Sequence, residues 1–282
     1  MPLVTSKDML IKAREGGYAV GAFNGENLEM MQAIIAAAEE LHAPVIVQTT
    51  SSTIKYASPA VYAGIVRGIA EQASIPVALH LDHGNSYELA VECVNQGYSS
   101  IMIDGSHGSF QENVIITNKV ISYCRERGIP VEAELGKVGG KEDDVIAEND
   151  MNTDVEEAVL FYEQTQVDFL AIAIGTSHGF YHGTPHLNKE RINEIAARIP
   201  IPLVLHGTSG IAEEEVTDCV RRGMCKVNYA TELRDTYTQA VKEVLLQDES
   251  VFDPKVYGKV AREAVKQVVM GHIRNIGSAG KA

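Results

Sequence analysis

The chain has 282 residues, with 24 Lys and Arg against 38 Asp and Glu and a net charge of -14. Without a basic run, that balance excludes an extended nucleic-acid surface, because phosphate backbones are bound through concentrated Lys and Arg. The length supports a large core, and barrels of alternating strands and helices reach it as one domain.

In chain order, the opening MPLVTSKDMLIKAREGG lacks the continuous apolar core of a secretion signal. Short runs rich in Val, Ile, Leu and Ala then recur, each followed by a longer segment with helical apolar spacing. The predicted strands are Tyr18 to Asn24, Pro44 to Gln48, Pro76 to Leu81, Ser99 to Asp104, Pro130 to Leu135, Phe169 to Ile174, Pro202 to Leu205 and Cys225 to Asn228. Several open on Pro, which is tolerated at a strand's first residue because the missing N–H lies outside the ladder. Predicted helices between them include Leu28 to Leu41, Pro59 to Gln72, Phe110 to Arg127, Asn188 to Arg198 and Thr231 to Leu246. The polar, Gly-rich stretch from about 136 to 152 (GKVGGKEDDVIAEND) reads as strand-free and as an active-site loop. No stretch approaches the roughly 20 apolar residues that cross a bilayer, so no membrane partner and a cytoplasmic location are expected. Cys93, Cys124, Cys219 and Cys225 have no CxxC spacing and lie in regular segments, which predicts buried thiols in a reducing compartment. Eight strand and helix pairs predict an α/β fold, a (β/α)8 TIM barrel spanning 1–282 as a single domain, with its active site on the loops after the strands.

Polar residues collect at those strand ends: HLDHG after the third strand, DGSHG after the fourth, EAELG after the fifth, GTSHG after the sixth, HGTSG after the seventh and NYATE after the eighth. In a barrel these ends share one mouth. A lone His is ordinarily a hydrogen-bonded structural residue, but His83, His178 and His206 each end a different strand. Three imidazoles with an open position make a catalytic zinc site. His80 is expected inside the barrel and His107 behind the ligands, with His42, His182, His186 and His272 on the surface or in loops. The glycines beside the histidines expose backbone N–H groups that hold phosphate without a basic patch. Each such motif alone is equally a tight turn. The candidate substrate contacts are Asn24, Thr50, Gly179, Gly207, Thr208, Ser209, Asn228, Tyr229, Ala230 and Thr231. Asp82, beside His83, is the candidate acid or base, while Asp104 and Glu134 end neighbouring strands. Glu142 lies in GGKEDD, which also reads as a solvated turn.

From GYAVGAFN through HLDHG, MIDGSH, VEAELGKVGGKEDD, AIAIGTSHG, PLVLHGTSG and KVNYATEL, the chain resembles the class II ketose-bisphosphate aldolases. The resemblance runs end to end. It implies zinc on His83, His178 and His206, carbonyl protonation or polarisation by Asp82, and a dihydroxyacetone-phosphate site at Gly179, Gly207 to Ser209 and Asn228 to Thr231. It also implies a second or displaced metal position at Asp104 and Glu134, and proton exchange at Glu142. Family members are dimers or tetramers, and some use a monovalent cation near the phosphate. His182 stands where many fructose-type members carry Lys, and Ala230 resembles tagatose-type members. The C-terminal GSAGKA resembles members acting on fructose bisphosphate or a phosphorylated deoxy-keto-gluconate, so the ketose stays open.

The expected reaction is reversible cleavage of a phosphorylated ketose to dihydroxyacetone phosphate and an aldehyde through a metal-stabilised enediolate. One rival is a Schiff-base aldolase with Lys226 as nucleophile. Another is a non-catalytic phosphosugar-binding companion subunit.

Overall fold

Helix α1 (Ser6–Gly16) precedes the first strand, β1 (Val20–Asn24), and is followed in turn by α2 (Leu28–Glu40), β2 (Val45–Thr50), α3 (Ser51–Ala57) and α4 (Pro59–Ala70). The chain continues through β3 (Val77–Gly84), α5 (Tyr87–Gln96), β4 (Ser100–Ile103), α6 (Phe110–Arg125) and β5 (Val131–Leu135). Next come the short strands β6 (Gly139–Glu142) and β7 (Val145–Ala147), then α7 (Val155–Thr165), β8 (Phe169–Ile172), β9 (Ser177–His178) and α8 (Lys189–Arg198). The last elements are β10 (Leu203–Leu205), α9 (Glu213–Arg221), β11 (Met224–Tyr229), α10 (Thr231–Gln247) and α11 (Pro254–Asn275). This computed structural model describes residues 3–142, 145–147, 152–179, 181, 183 and 185–282, with backbone alone at 140–142 and 145–147.

Eight parallel strands close in the order β1-β11-β10-β8-β5-β4-β3-β2, and β1 pairs with both β2 and β11 to seal the barrel. The eight predicted strands are all present. Strand alternation sorts their side chains. Outward residues such as Val45, Val47, Leu79, Leu81, Val131, Ala133 and Val227 pack with the helices in the main core. Each buried aliphatic side chain there contributes about 1.5–3 kcal/mol relative to exposure. Inward residues are of two kinds. Val20, Ala22, Ile46, Ala78, Phe169, Ala171 and Val204 are apolar and pack in one cluster with Met9, Leu10 and Ala13 of α1, which plugs the end where the strands begin. Buried His80, Glu132 and Lys226 share the interior with them, with Lys226 in register with Val204 and Glu132 with Phe169, and Asn24, Gln48, Asp82, Glu134 and Asn228 lie toward the strand ends. The interior therefore mixes apolar and charged side chains beneath a polar mouth.

Two helices fall outside the simple alternation: α1 at the barrel floor, and α11, which packs along α2 and α10. The 136–152 segment is not strand-free as its polarity predicts. There, β6 pairs antiparallel with β7 and parallel with β9, setting Gly140 opposite His178. The β-branched Val145 and Ile146 favour a strand, and Gly139 and Gly140 let the β6 backbone approach β9 closely. His42 and His186 are exposed as expected, but His272 is not a loop residue. It lies within α11 with its ring stacked on Tyr229 at 3.9 Å and its Nε2 2.9 Å from Glu232 Oε1. All four cysteines are buried free thiols. Among the described residues, no helix is long and apolar enough to cross a membrane.

Candidate active site

Asp82 and His83 are consecutive, and regular alternation would aim them to opposite faces of the sheet. The pairing of β3 with β4 slips between Leu81 and Gly84, and His83 adopts φ +44°, a left-handed conformation unusual for a residue with Cβ. This bulge turns both side chains toward the mouth, and backbone strain of this kind clusters at functional sites. Gly84 completes the bulge, because a Cβ there would lie 2.4 Å from the Met102 carbonyl oxygen.

Asp82 is buried and held by three amides. Asn24 Nδ2 and Gln48 Nε2 donate to its Oδ2 at 3.0 and 3.1 Å, and Asn228 Nδ2 donates to Oδ1 at 3.1 Å. Gln48 also donates to Asn24 Oδ1 at 2.8 Å, which fixes the clamp's orientation.

The histidines converge. His83 lies edge-on to both His178 and His206, with ring centroids 5.1 and 4.7 Å away. His206 Nδ1 and His83 Nε2 are 2.9 Å apart, and one nitrogen from each of the three rings falls within 4.8 Å of the others. The far nitrogens of two of them face carboxylates: His83 Nδ1 is 3.0 Å from Asp104 Oδ2, and His206 Nε2 is 3.0 Å from Glu132 Oε1. An ionised carboxylate only accepts, so each far nitrogen carries the proton, and in a neutral ring the near one presents a lone pair. Two lone pairs pointed at each other across 2.9 Å call for a cation between them. A tetrahedral zinc shell with its usual Zn–N bonds separates ligand nitrogens by roughly 3.3 Å, so the donor set fits that ion.

Burial opposes charge throughout this cluster. It pushes His206 below its ordinary value, against the pull of Glu132, and pushes His80 well below. Burial would raise Asp104, but His83 and the Ser106 hydroxyl and amide together hold it well below the carboxylate range. Glu132 likewise stays low against burial because of Lys226 and His206. Glu134 Oε2 lies 3.9 Å from His83 Nδ1 and 3.8 Å from His206 Nδ1, and His83, Asp104 and Glu134 form a second group able to hold a metal. His107 stands behind Asp104 at 3.7 Å, as expected.

Beside the histidines lies a cleft whose lining includes Asn24, Gly179, Gly207, Thr208, Ser209, Asn228, Ala230 and Thr231. Two predicted contacts lie elsewhere. The Tyr229 side chain points outward from β11 and stacks against Phe23 and His272, and the Thr50 hydroxyl caps α3 beside Ser52 and Thr53. The first follows from alternation, since Asn228 takes the inward place on β11; Thr50 shares the phase of Gln48 but is the last residue of β2 and the N-cap of α3, so its hydroxyl turns to the helix start. The Glu142 side chain and His182 lie outside the described residues.

Sequence reasoning missed Gln48, Glu132, Tyr181 and Arg234. Inward phase on β2 and β5 would have flagged the first two. The Tyr181 hydroxyl accepts from the Ser177 N–H and donates to the Gly207 carbonyl, tying the loops that carry His178 and His206. Arg234 lines the cleft one helical turn beyond Thr231, with its Nε 2.7 Å from Glu26 Oε1. Lys226 is fully buried and paired with Glu132 at 2.9 Å, and it is not among the residues that line the cleft.

Residues 4–281 match the family "Fructose-bisphosphate aldolase class-II". The chain belongs to that family. It is 45% identical over 285 residues to a fructose-bisphosphate aldolase of Staphylococcus epidermidis, covering all of both chains. It is 44% identical to one from Geobacillus stearothermophilus, covering all of this chain and 99% of that one. Among solved structures, the YdjI aldolase of Escherichia coli K12 superposes with a TM-score of 0.89 at 35% identity over 99% of each chain. Class II aldolases are carbon–carbon lyases and generally zinc-dependent, which agrees with the donor set at His83, His178 and His206.

Proposed function

We propose that this chain is a zinc enzyme that reversibly cleaves fructose 1,6-bisphosphate to dihydroxyacetone phosphate and an aldehyde. The observation that carries this reading is the meeting of three imidazoles, two braced from behind by carboxylates, with an amide-clamped Asp82 whose Oδ1 is 4.0 Å from His83 Nε2. His83, His178 and His206 would hold the zinc, which would supply a Lewis acid for the ketose carbonyl. Asp82 takes the proton from the C4 hydroxyl as the C3–C4 bond breaks, and returns it to the aldehyde oxygen in condensation. Asn24, Gln48 and Asn228 keep that carboxylate in line for the transfer. Backbone N–H groups around Gly179, Gly207 and Ser209, with the side-chain-uncapped start of α10 at Thr231, receive the phosphate. Asp104 and Glu134 offer a displaced metal position, and Glu142 exchanges the proton on the ketone-derived carbon.

Ala230 in the cleft favours a second substrate reading, tagatose 1,6-bisphosphate, because no carboxylate stands at that position. The exposed apolar side chains of Leu246, Phe252, Val256 and Val260 support the expected homodimer or homotetramer. A cytoplasmic location accords with the buried free thiols.

The test is cleavage of fructose, tagatose and deoxy-keto-gluconate phosphates in parallel, before and after exhaustive EDTA. Activity on a ketose bisphosphate that disappears with chelation and returns with zinc is expected. Activity that survives chelation, with inactivation by borohydride plus substrate, would overturn the zinc reading in favour of a Lys226 Schiff base.

A further inference from the structure

Directly beneath the histidines sit two charged residues that bond cleavage does not use. Lys226 and Glu132 are 1% and 0% exposed, and Lys226 Nζ lies 2.9 and 3.3 Å from the two Glu132 oxygens. A buried ion pair is costly, and apolar residues of the same volume commonly serve the fold as well or better. Other inward positions show that this barrel does fill its interior with apolar side chains, among them Ala78, Ala171 and Val204. The pair's remaining contacts are directional. Glu132 Oε1 faces His206 Nε2 at 3.0 Å, and Oε2 is 3.7 Å from His80 Nε2.

We propose that Glu132, anchored by Lys226, is the positioning residue for His206: by accepting its Nε2–H it fixes the ring and aims Nδ1 at the other two imidazoles. The proposal rests on the zinc reading above. Lys226 supplies the counter-charge that lets a carboxylate stand at this depth, and β5 and β11 carry the two halves of the pair to opposite sides of His206. Outer partners of metal-binding imidazoles set both tautomer and orientation, and their loss typically costs about 10–100-fold in metal affinity.

The experiment is a zinc titration of metal-stripped full-length protein against a chromogenic chelator, with circular dichroism and thermal melts of each apo form. In Glu132→Leu/Lys226→Met the charges leave together and the fold is retained, yet zinc binds about 10–100-fold more weakly. Glu132→Gln/Lys226→Met restores an acceptor for Nε2 and recovers part of that loss. Glu132→Asp keeps the charge but withdraws the oxygen by one methylene, and it decides the matter if the Leu/Met variant fails to fold: a weakening of about tenfold or more is expected. Wild-type zinc affinity in a folded Leu/Met or Asp variant overturns the proposal, as does an equal loss in the Leu/Met and Gln/Met variants. If wild-type protein takes up no zinc, the metal reading itself falls and takes this proposal with it.

Discussion

Gly207 couples the fold to the site, and Gly207→Ala measures that coupling. Its φ is +65°, and a Cβ there would come within 2.8 Å of the carbonyl carbon and oxygen of Ser177 and 3.1 Å of its nitrogen. Holding Ala in the left-handed region costs about 1–2 kcal/mol. The clash is with backbone, so no rotamer relieves it, and overpacking of this kind costs about 1–3 kcal/mol. Together these give about 2–5 kcal/mol, a fall of about 3–8 °C in the apo melting temperature for a chain of 282 residues. To restore ordinary contact, the Ser177 backbone must retreat by roughly 0.6 Å. His178 is the next residue, so zinc affinity falls by about tenfold or more. Thermal melts of metal-free protein and a chelator-competition titration read the two effects separately. A variant that melts within a degree of wild type and binds zinc equally well would show that the two loops are not in contact as described.

Asp82→Ala keeps its zinc content but loses about 10²–10⁴-fold in kcat, and full turnover in that variant would remove the proton-transfer assignment. His80 and His206 are both pushed below the ordinary value of 6.5, chiefly by burial, so the unfolded chain binds protons first as pH falls. Stability of the apo protein is therefore fully present above pH 6.5 and declines below it, by up to about 1.4 kcal/mol per pH unit for each histidine. Urea midpoints measured from pH 7.5 to 5 check this before carboxylates titrate, and a flat profile would contradict it. Burial pushes Cys124 and Cys219 up to about 12 and Cys225 to about 11, with Cys93 higher still. Native protein at pH 8 should resist iodoacetamide at all four, and mass spectrometry should find all four alkylated after denaturation.

The barrel was legible because each strand announces itself as a short apolar run followed by helical spacing, and the meeting of His83, His178 and His206 because three histidines repeat one place in that pattern. What stayed hidden were relations between strands. Gln48 and Glu132 carry no motif of their own, and only their phase on β2 and β5, set by the closed register, turns them inward. The side chains of Tyr229 and Thr50 turn elsewhere for local reasons, Tyr229 because it alternates with Asn228 and Thr50 because its hydroxyl caps α3. The hairpin of β6 and β7 was masked by polar composition, since its pairing partner is a two-residue strand 30 or more residues further along the chain. His272 looked peripheral because α11 lies beyond the eight repeats, yet its ring covers the outer face of Tyr229.

The closing seam of the barrel explains how one mouth serves two electrostatic tasks. Asp82 on β3 is held by amides from β2, β1 and β11, a path that runs across the seam and joins residues 146 apart in sequence. The histidines are braced from the opposite half, where Asp104 follows β4 and β5 gives Glu132 and Glu134. Neutral donors therefore orient the carboxylate proposed to exchange a proton, and anions face the imidazoles proposed to hold the metal. Each half supplies what the other would spoil: a carboxylate beside Asp82 would repel it, and a neutral amide behind His206 would fix its tautomer less firmly. Asn228 of β11 and His206 beyond β10 reach Asp82 and His83 of β3 across the pairing of β1 with β11, so the amide clamp and the imidazole cluster are completed as the barrel closes.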